Sequence, residues 1–138
     1  MKALNSMIRL QRWQLEEKRR QLVRLEEREA AIVASQRALE NELQNEQQAV
    51  RREAEFSFCY GNYAQSVIEK RKTLISKYEA LETVLLEARS EVGQTYQEVR
   101  RYEIVLDNLE ESLNKERLRV EQQDIDDISL EMYRRAEV

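Results

Sequence analysis

An apolar residue recurs every seven positions through the C-terminal half of the chain. One row contains Tyr78, Leu85, Val92, Val99, Leu106, Leu113 and Val120. A second row, offset by four and three residues, contains Leu74, Leu81, Ala88, Thr95, Tyr102 and Leu109. Because an α-helix has about 3.6 residues per turn, a strict heptad repeat predicts a left-handed coiled coil with a partner helix.

The N-terminal half has two rows of its own, with polar interruptions. One row contains Ile8, Leu15, Leu22, Glu29, Gln36, Leu43 and Val50, and the other contains Leu4, Gln11, Lys18, Leu25, Ile32, Leu39 and Glu46. The pattern fails between about 53 and 62, where Gly61-Asn62 is a turn signal and Asn62 with Gln65 resembles a helix N-cap box. The sequence therefore predicts a single domain over 1–138, with a helix over about 3–54, a turn over about 55–61 and a helix over about 62–135.

A short connection between two long helices makes them antiparallel neighbours. The predicted fold is all-α, a long antiparallel two-helix coiled-coil hairpin with an overhanging C-terminal helix. Aligning the ladders pairs Leu4 with Leu113, Ile8 with Leu109, Leu15 with Tyr102, Leu25 with Val92, Ile32 with Leu85, Leu39 with Tyr78, Leu43 with Leu74 and Val50 with Val67. The same alignment predicts an ion pair between Glu46 and Arg71 inside the seam. An unpaired buried charge costs about 3–5 kcal/mol, so this pair is expected to fix the register.

The predicted register leaves the end of the second helix unpaired. Residues beyond about 116 have no intrachain partner in this register, and about 20 residues project about 30 Å. Charge favours the pairing, because residues 1–24 contain seven Lys/Arg and two Glu whereas 107–131 contain nine Asp/Glu and three Lys/Arg. We expect these two segments to lie side by side.

Composition excludes several classes of function. The chain has 138 residues, 36% of them charged, with no Pro, two Gly and a mean hydropathy of −0.78, as is typical of a long helix. A net charge of −4 argues against nucleic acid as a partner, because binding phosphates needs a basic surface. No apolar run is long enough to span a membrane, and Met1–Ser6 lacks the apolar region of a secretory signal. A single Cys is consistent with a reducing cytoplasm.

Catalytic and cofactor sites are not expected. The chain has no His, so it lacks Ser-His and Cys-His arrangements, and its isolated Gly residues form no phosphate-binding loop. The lone Cys59 has no metal-spaced Cys or His companion and is expected to be a small buried or half-buried apolar residue. We predict a protein that is not an enzyme and holds no metal or cofactor.

Several apolar side chains are left over once the seam is assigned. Those near the end where the termini meet are Met7, Leu10, Trp13, Ile104, Leu118, Ile125 and Met132. They are either scattered surface residues of a broadened seam or a docking surface, and an exposed Trp favours docking. The opposite end contains Phe56, Phe58, Tyr60 and Tyr63, which either plug the hairpin or form a second docking site.

Three segments resemble the FliJ family of flagellar type III export proteins in its alphaproteobacterial form. The run from Ile8 through Gln21, which reads IRLQRWQLEEKRRQ, is similar to the start of that family. The segment with Tyr60, Tyr63 and Ala64 followed by the basic run 70–72 is similar to its middle, and the tail from Asp126 to Arg135 is similar to its end. The chain has Gly61-Asn62 where some members have Pro, which alters the turn.

The resemblance implies a non-enzymatic cytoplasmic stalk, located at the cytoplasmic face of the inner membrane at the flagellar base. Such a protein docks in the hexameric ring of the export ATPase, contacts the membrane export gate and helps to recycle substrate chaperones, and so supports motility. By resemblance, the ATPase contact is assigned to Met7, Leu10, Trp13, Leu118, Ile125 and Met132. The gate contact is assigned to Phe56, Phe58, Tyr60 and Tyr63. A stalk of a virulence-type secretion system and a self-associating structural coiled coil are the alternatives.

Overall fold

The structure, a computed structural model, consists of two long helices. It describes the backbone of residues 1–52 and 57–137, and the side chains of 1–52 and 60–137. Helix α1 covers Lys2–Arg52 and helix α2 covers Ser57–Ala136. The two helices pack against each other, and the described residues contain no strand. The predicted all-α hairpin of two antiparallel helices is confirmed.

Gly61 and Asn62 do not form the predicted turn, because both lie inside α2. Neither Gly61 nor any other described residue has a positive φ. A Gly within a helix costs only about 1 kcal/mol relative to Ala, and the packing of a long helix easily overrides such a local preference. Residues 55 and 56 of the predicted turn lie outside the described residues.

The contacts divide the chain into two compact units. One comprises Gln14–Gln94, and the other comprises Met1–Trp13 together with Thr95–Val138. Each contains a stretch of α1 and a stretch of α2.

In the unit Gln14–Gln94 the two predicted heptad ladders form the seam. Leu15, Leu39, Val67 and Leu85 are buried, and Leu85 is completely inaccessible to solvent. The half-buried seam residues are Lys18, Leu22, Leu25, Glu29, Ile32, Gln36, Leu43, Val50, Ala64, Arg71, Leu74, Tyr78, Leu81, Ala88 and Val92. Glu46 is the exception among the predicted seam positions of α1, because it is exposed.

The register of this unit differs from the predicted one by a heptad. Arg71 donates two hydrogen bonds to Glu40, from Nε to Oε1 and from Nη2 to Oε2, both of 2.7 Å. Glu40 follows Leu39, so Arg71 lies opposite Leu39, whereas the prediction placed Tyr78 there. A groove between the helices supports the shifted register. Ala31 and Ile32 line it together with Lys77 and Leu81, whereas the prediction placed Ile32 opposite Leu85.

The predicted ion pair between Glu46 and Arg71 is therefore wrong. The side chains of Arg71 and Glu40 are 40% and 51% exposed, so their ion pair lies at the edge of the seam and keeps much of its hydration. This arrangement avoids the desolvation penalty of an ion pair inside the seam. Since Glu46 is exposed, the slipped register leaves no buried unpaired carboxylate at that position.

The second unit shows the same shift of one heptad. Ile8 and Val99 are buried and Leu4 and Leu106 are half-buried, whereas every described residue beyond Leu106 is exposed. The predicted pairs of Leu4 with Leu113 and Ile8 with Leu109 are wrong, because Leu109 and Leu113 are exposed. The first covered residue of α1, Leu4, thus corresponds to the last covered residue of α2, Leu106.

The ion pair between Arg12 and Glu103 agrees with this register. Arg12 Nη2 lies 3.1 Å from Glu103 Oε1. Side chains on a helix lean toward its N-terminus, so those of antiparallel helices lean in opposite directions. In the observed register the two side chains lean toward each other, whereas in the predicted register they would lean apart.

The ends of the helices explain the shift. α1 ends two residues before the predicted 54, and α2 begins five residues before the predicted 62. Together the two differences amount to one heptad. A shift of one heptad returns each row of a ladder to an equivalent position, so the apolar layers are preserved.

No helix in the described part of the chain is both long enough and apolar enough to cross a membrane.

Candidate functional site

The part of α2 that follows Leu106 forms the principal candidate surface. This segment, residues 107–136, is named the overhang, because α1 covers none of it. Counted from Leu106 to Ala136 at about 1.5 Å per residue, the overhang extends roughly 45 Å. It is longer than predicted, since the observed register removes one further heptad of cover.

Two apolar rows lie on opposite faces of the overhang. The outer row contains Leu118, Ile125 and Met132, and Ile104 precedes it at the same heptad position. The seam row continues the ladder that packs against α1, and it contains Leu109, Leu113, Val120 and Leu130. All of these side chains are exposed.

The α1 residues predicted to bind a partner are also exposed. Met7, Leu10 and Trp13 lie on successive turns of α1, and Trp13 is 61% exposed. Trp13 lies on the face of α1 that points away from the seam, since it is five residues beyond Ile8. A large aromatic side chain with this exposure is the strongest single feature of the surface.

The six residues assigned to the ATPase contact do not form one compact patch. In the observed register Trp13 lies beside the covered part of α2, whereas Leu118 lies twelve residues beyond Leu106, or about 18 Å along the axis. Ile125 is about 40 Å from Trp13 along the same axis. A partner that contacts all six must therefore extend along the molecule.

Sequence reasoning missed the seam row as a candidate surface. Leu109 and Leu113 were expected in the interior, and Val120 and Leu130 were not included in the candidate site. The ladder itself was the available signal, because it runs past the end of α1 once the register is known.

The overhang is acidic, and α1 does not neutralise it. Residues 107–131 contain nine Asp/Glu and three Lys/Arg. The described ion pairs from residue 107 onward join residues three or four apart, and an example is Arg119 with Glu116 at 2.7 Å. The expected side-by-side arrangement of 107–131 with the basic segment 1–24 is wrong, because most of the acidic segment lies beyond the first residue of α1.

A pair of arginines binds one carboxylate at the base of the overhang. Arg100 Nη1 lies 2.7 Å from Glu103 Oε2, and Arg12 binds the other oxygen. Hydrogen bonds from Arg100 and then Arg12 lower the pKa of Glu103. The stability that this carboxylate contributes is present above its unfolded pKa and is lost as the pH falls through its lowered pKa.

The candidate gate contact near the start of α2 is only partly described. Phe56 and the side chain of Phe58 lie outside the described residues, as does the side chain of Cys59. Tyr60 and Tyr63 are half-buried, with ring centroids 6.4 Å apart and planes tilted by 37°. Burial raises the pKa of Tyr63, and the charge of Glu42 raises it further. The half-buried tyrosines favour a structural role at this end.

Among the described residues, no group of three or more His, Cys, Asp or Glu side chains could hold a metal ion. Comparison with family models, curated proteins and solved structures found no match.

Proposed function

We propose that this chain is a non-enzymatic stalk of the flagellar type III export apparatus, which binds the hexameric export ATPase and the export gate. It acts at the cytoplasmic face of the inner membrane, at the base of the flagellum. The resemblance of three sequence segments to the FliJ family supplies the identity of these partners. The structural observation that carries the proposal is the overhang, a helix with exposed apolar residues and no covering helix.

The hairpin supports a stalk better than a self-associating coiled coil. A parallel dimer would need the heptad seam for contacts between chains, whereas α1 and α2 of one chain occupy that seam. The remaining apolar residues, including Trp13 and Ile125, are exposed to solvent and could therefore be buried by a partner. A stalk of a virulence-type system would present the same kind of surface, and the identity of the bound ATPase distinguishes the two.

Exposed apolar residues are the parts of the surface that a ring-shaped partner would bury. Burying a large apolar side chain contributes about 1.5–3 kcal/mol, and aspartate at the centre of such a contact adds the cost of desolvating a charge. Trp13 on α1 and Ile125 on α2 represent the two parts of this surface.

The test is copurification of the chain with the flagellar export ATPase of the same organism. Trp13→Asp combined with Ile125→Asp is expected to abolish binding without loss of helical content by circular dichroism. Leu86→Asp is the matched control, because Leu86 is 72% exposed and belongs to neither the ATPase contact nor the gate contact. Unchanged ATPase binding by the double variant would refute the assigned contact.

A further inference from the structure

The seam row of the overhang continues an interface that the molecule already uses. Leu109 and Leu113 follow Leu106 with the same alternation of three and four residues that packs α2 against α1. Val120 and Leu130 extend the row at heptad positions. The row is therefore spaced to pack against a helix, and its apolar side chains are nevertheless exposed.

Charge distinguishes among the helices that could occupy this row. Four carboxylates flank the row on α2: Glu110, Asp124, Asp126 and Glu131. Two more carboxylates, Glu116 and Asp127, lie within it. The overhang of a second copy would bring the same net negative charge, and like charges in facing helices destabilise a coiled coil.

We propose that the seam row binds a single amphipathic helix of another protein, with a basic border along its apolar face. This helix continues the path of α1 along α2 and covers Leu109, Leu113, Val120 and Leu130. Its Lys or Arg side chains lie opposite Glu116 and Asp127, the two charged positions of the row. Arg117 and Arg119 flank the middle of the row, so the partner is acidic or neutral there.

This surface is separate from the one assigned to the ATPase on α2. The outer row with Leu118 and Ile125 faces away from the seam row, since the two rows lie on opposite sides of the helix. The basic helix and the ATPase therefore use different faces of the overhang. The inference goes beyond the proposed function and does not depend on the identity of the ATPase.

The probe is a synthetic, fluorescein-labelled helical peptide of four heptads. It has Leu at the seam positions, except that Lys faces Glu116 and Asp127. It has Lys at the flanking positions, except that Gln faces Arg117 and Arg119, and a matched peptide has Glu in place of every Lys. Binding of each peptide to the full chain is measured by fluorescence anisotropy at low ionic strength. The Lys peptide is expected to bind, and the Glu peptide is expected to bind at least about tenfold more weakly.

Two aspartate variants locate the binding face. Leu113→Asp, in the seam row, is expected to weaken binding of the Lys peptide about tenfold or more, a change of about 1.4 kcal/mol. Leu118→Asp adds the same charge on the opposite face and is expected to change the affinity by less than about twofold. Both positions are exposed, so both variants are expected to keep the helical content of the original chain.

Equal weakening by the two variants would overturn the proposal, as would comparable binding of the Lys and Glu peptides. Sedimentation of the chain alone tests the other occupant. A monomer supports a foreign partner, whereas a dimer that Leu113→Asp dissociates would assign the row to a second copy and overturn the proposal.

Discussion

Leu85 and Leu86 are adjacent in sequence and lie in opposite environments. Leu85 is inaccessible to solvent in the seam, whereas Leu86 is 72% exposed on the outer surface. Leu85→Ala is expected to lower the free energy of unfolding by about 2–5 kcal/mol, because it removes buried contacts and leaves a cavity. Leu86→Ala is expected to change it by less than about 0.5 kcal/mol. Urea unfolding followed by circular dichroism measures both, and equal losses would contradict the burial of Leu85.

Glu29 is a carboxylate in an apolar ladder and lies close to a second carboxylate. Its pKa is raised first by a hydrogen bond with Glu82, then by burial and by the negative charge of Glu82, whereas Arg89 lowers it. Glu82 also raises the pKa of Tyr78, mainly through a hydrogen bond. The folded chain therefore binds the Glu29 proton more tightly than the unfolded chain does.

This shift predicts a pH dependence of stability. A raised pKa in the folded state contributes stability that is complete below the unfolded pKa and is lost as the pH rises through the folded pKa. Glutamine cannot ionise, so Glu29→Gln does not lose this stability as the pH rises. The variant is therefore expected to be more stable than the original chain at neutral pH. The difference in melting temperature should shrink as the pH falls to the ordinary glutamate pKa.

The control for Glu29 is Glu27→Gln, at an exposed position outside the seam. The melting temperature of Glu27→Gln should differ little from that of the original chain, and the difference should be nearly constant over the same pH range. The prediction would be contradicted if the difference in melting temperature between Glu29→Gln and the original chain stayed constant or grew as the pH fell.

Between the elements, one ion pair reports the register of the helices. Arg71 binds Glu40 in the structure, and Glu46 was its predicted partner. A double-mutant cycle of Arg71→Ala with Glu40→Ala is expected to give a coupling of about 0.3–1 kcal/mol, as for other exposed pairs. The cycle with Glu46→Ala should give a coupling near zero, and a larger coupling to Glu46 than to Glu40 would favour the predicted register.

The heptad ladders could be predicted from the sequence because helix periodicity follows directly from the spacing of apolar residues. The ladder from Ala64 to Leu106 is buried or half-buried throughout, including polar Thr95. The register could not be predicted in this way, because a slip of one heptad again places apolar rows against each other. The register depends on where the two helices end, and Gly61-Asn62 was a misleading signal for the start of α2.

The candidate site was predictable to a similar extent. Exposure of Trp13 and Ile125 follows from their positions opposite the seam, and the structure has both exposed. Leu109 and Leu113 were assigned to the interior because the predicted register extended the seam by one heptad too many. An error in the predicted ends of the helices thus hid a surface on α2.

At the scale of the whole molecule, both contacts proposed on the overhang depend on the part of α2 that α1 does not cover. α1 covers α2 as far as Leu106, and every described residue of α2 beyond Leu106 is exposed. In the proposed function the export ATPase contacts the outer row of this segment, and the further proposal places a basic helix on its opposite face. The basic-helix proposal requires the seam to end where Leu4 lies opposite Leu106, because Leu109 and Leu113 must stay exposed.

Disulfide cross-linking of the monomer tests this end of the seam directly. Met7 precedes Ile8 and Val105 precedes Leu106, so the two side chains flank the same edge of the seam. With Cys59→Ser as background, the pair Met7→Cys and Val105→Cys is expected to oxidise rapidly to an intrachain disulfide. The pair Met7→Cys and Ser112→Cys should react slowly, since Ser112 is one heptad farther along α2. Faster cross-linking of 7 with 112 than with 105 would contradict the observed register, because it would place Leu109 and Leu113 under α1.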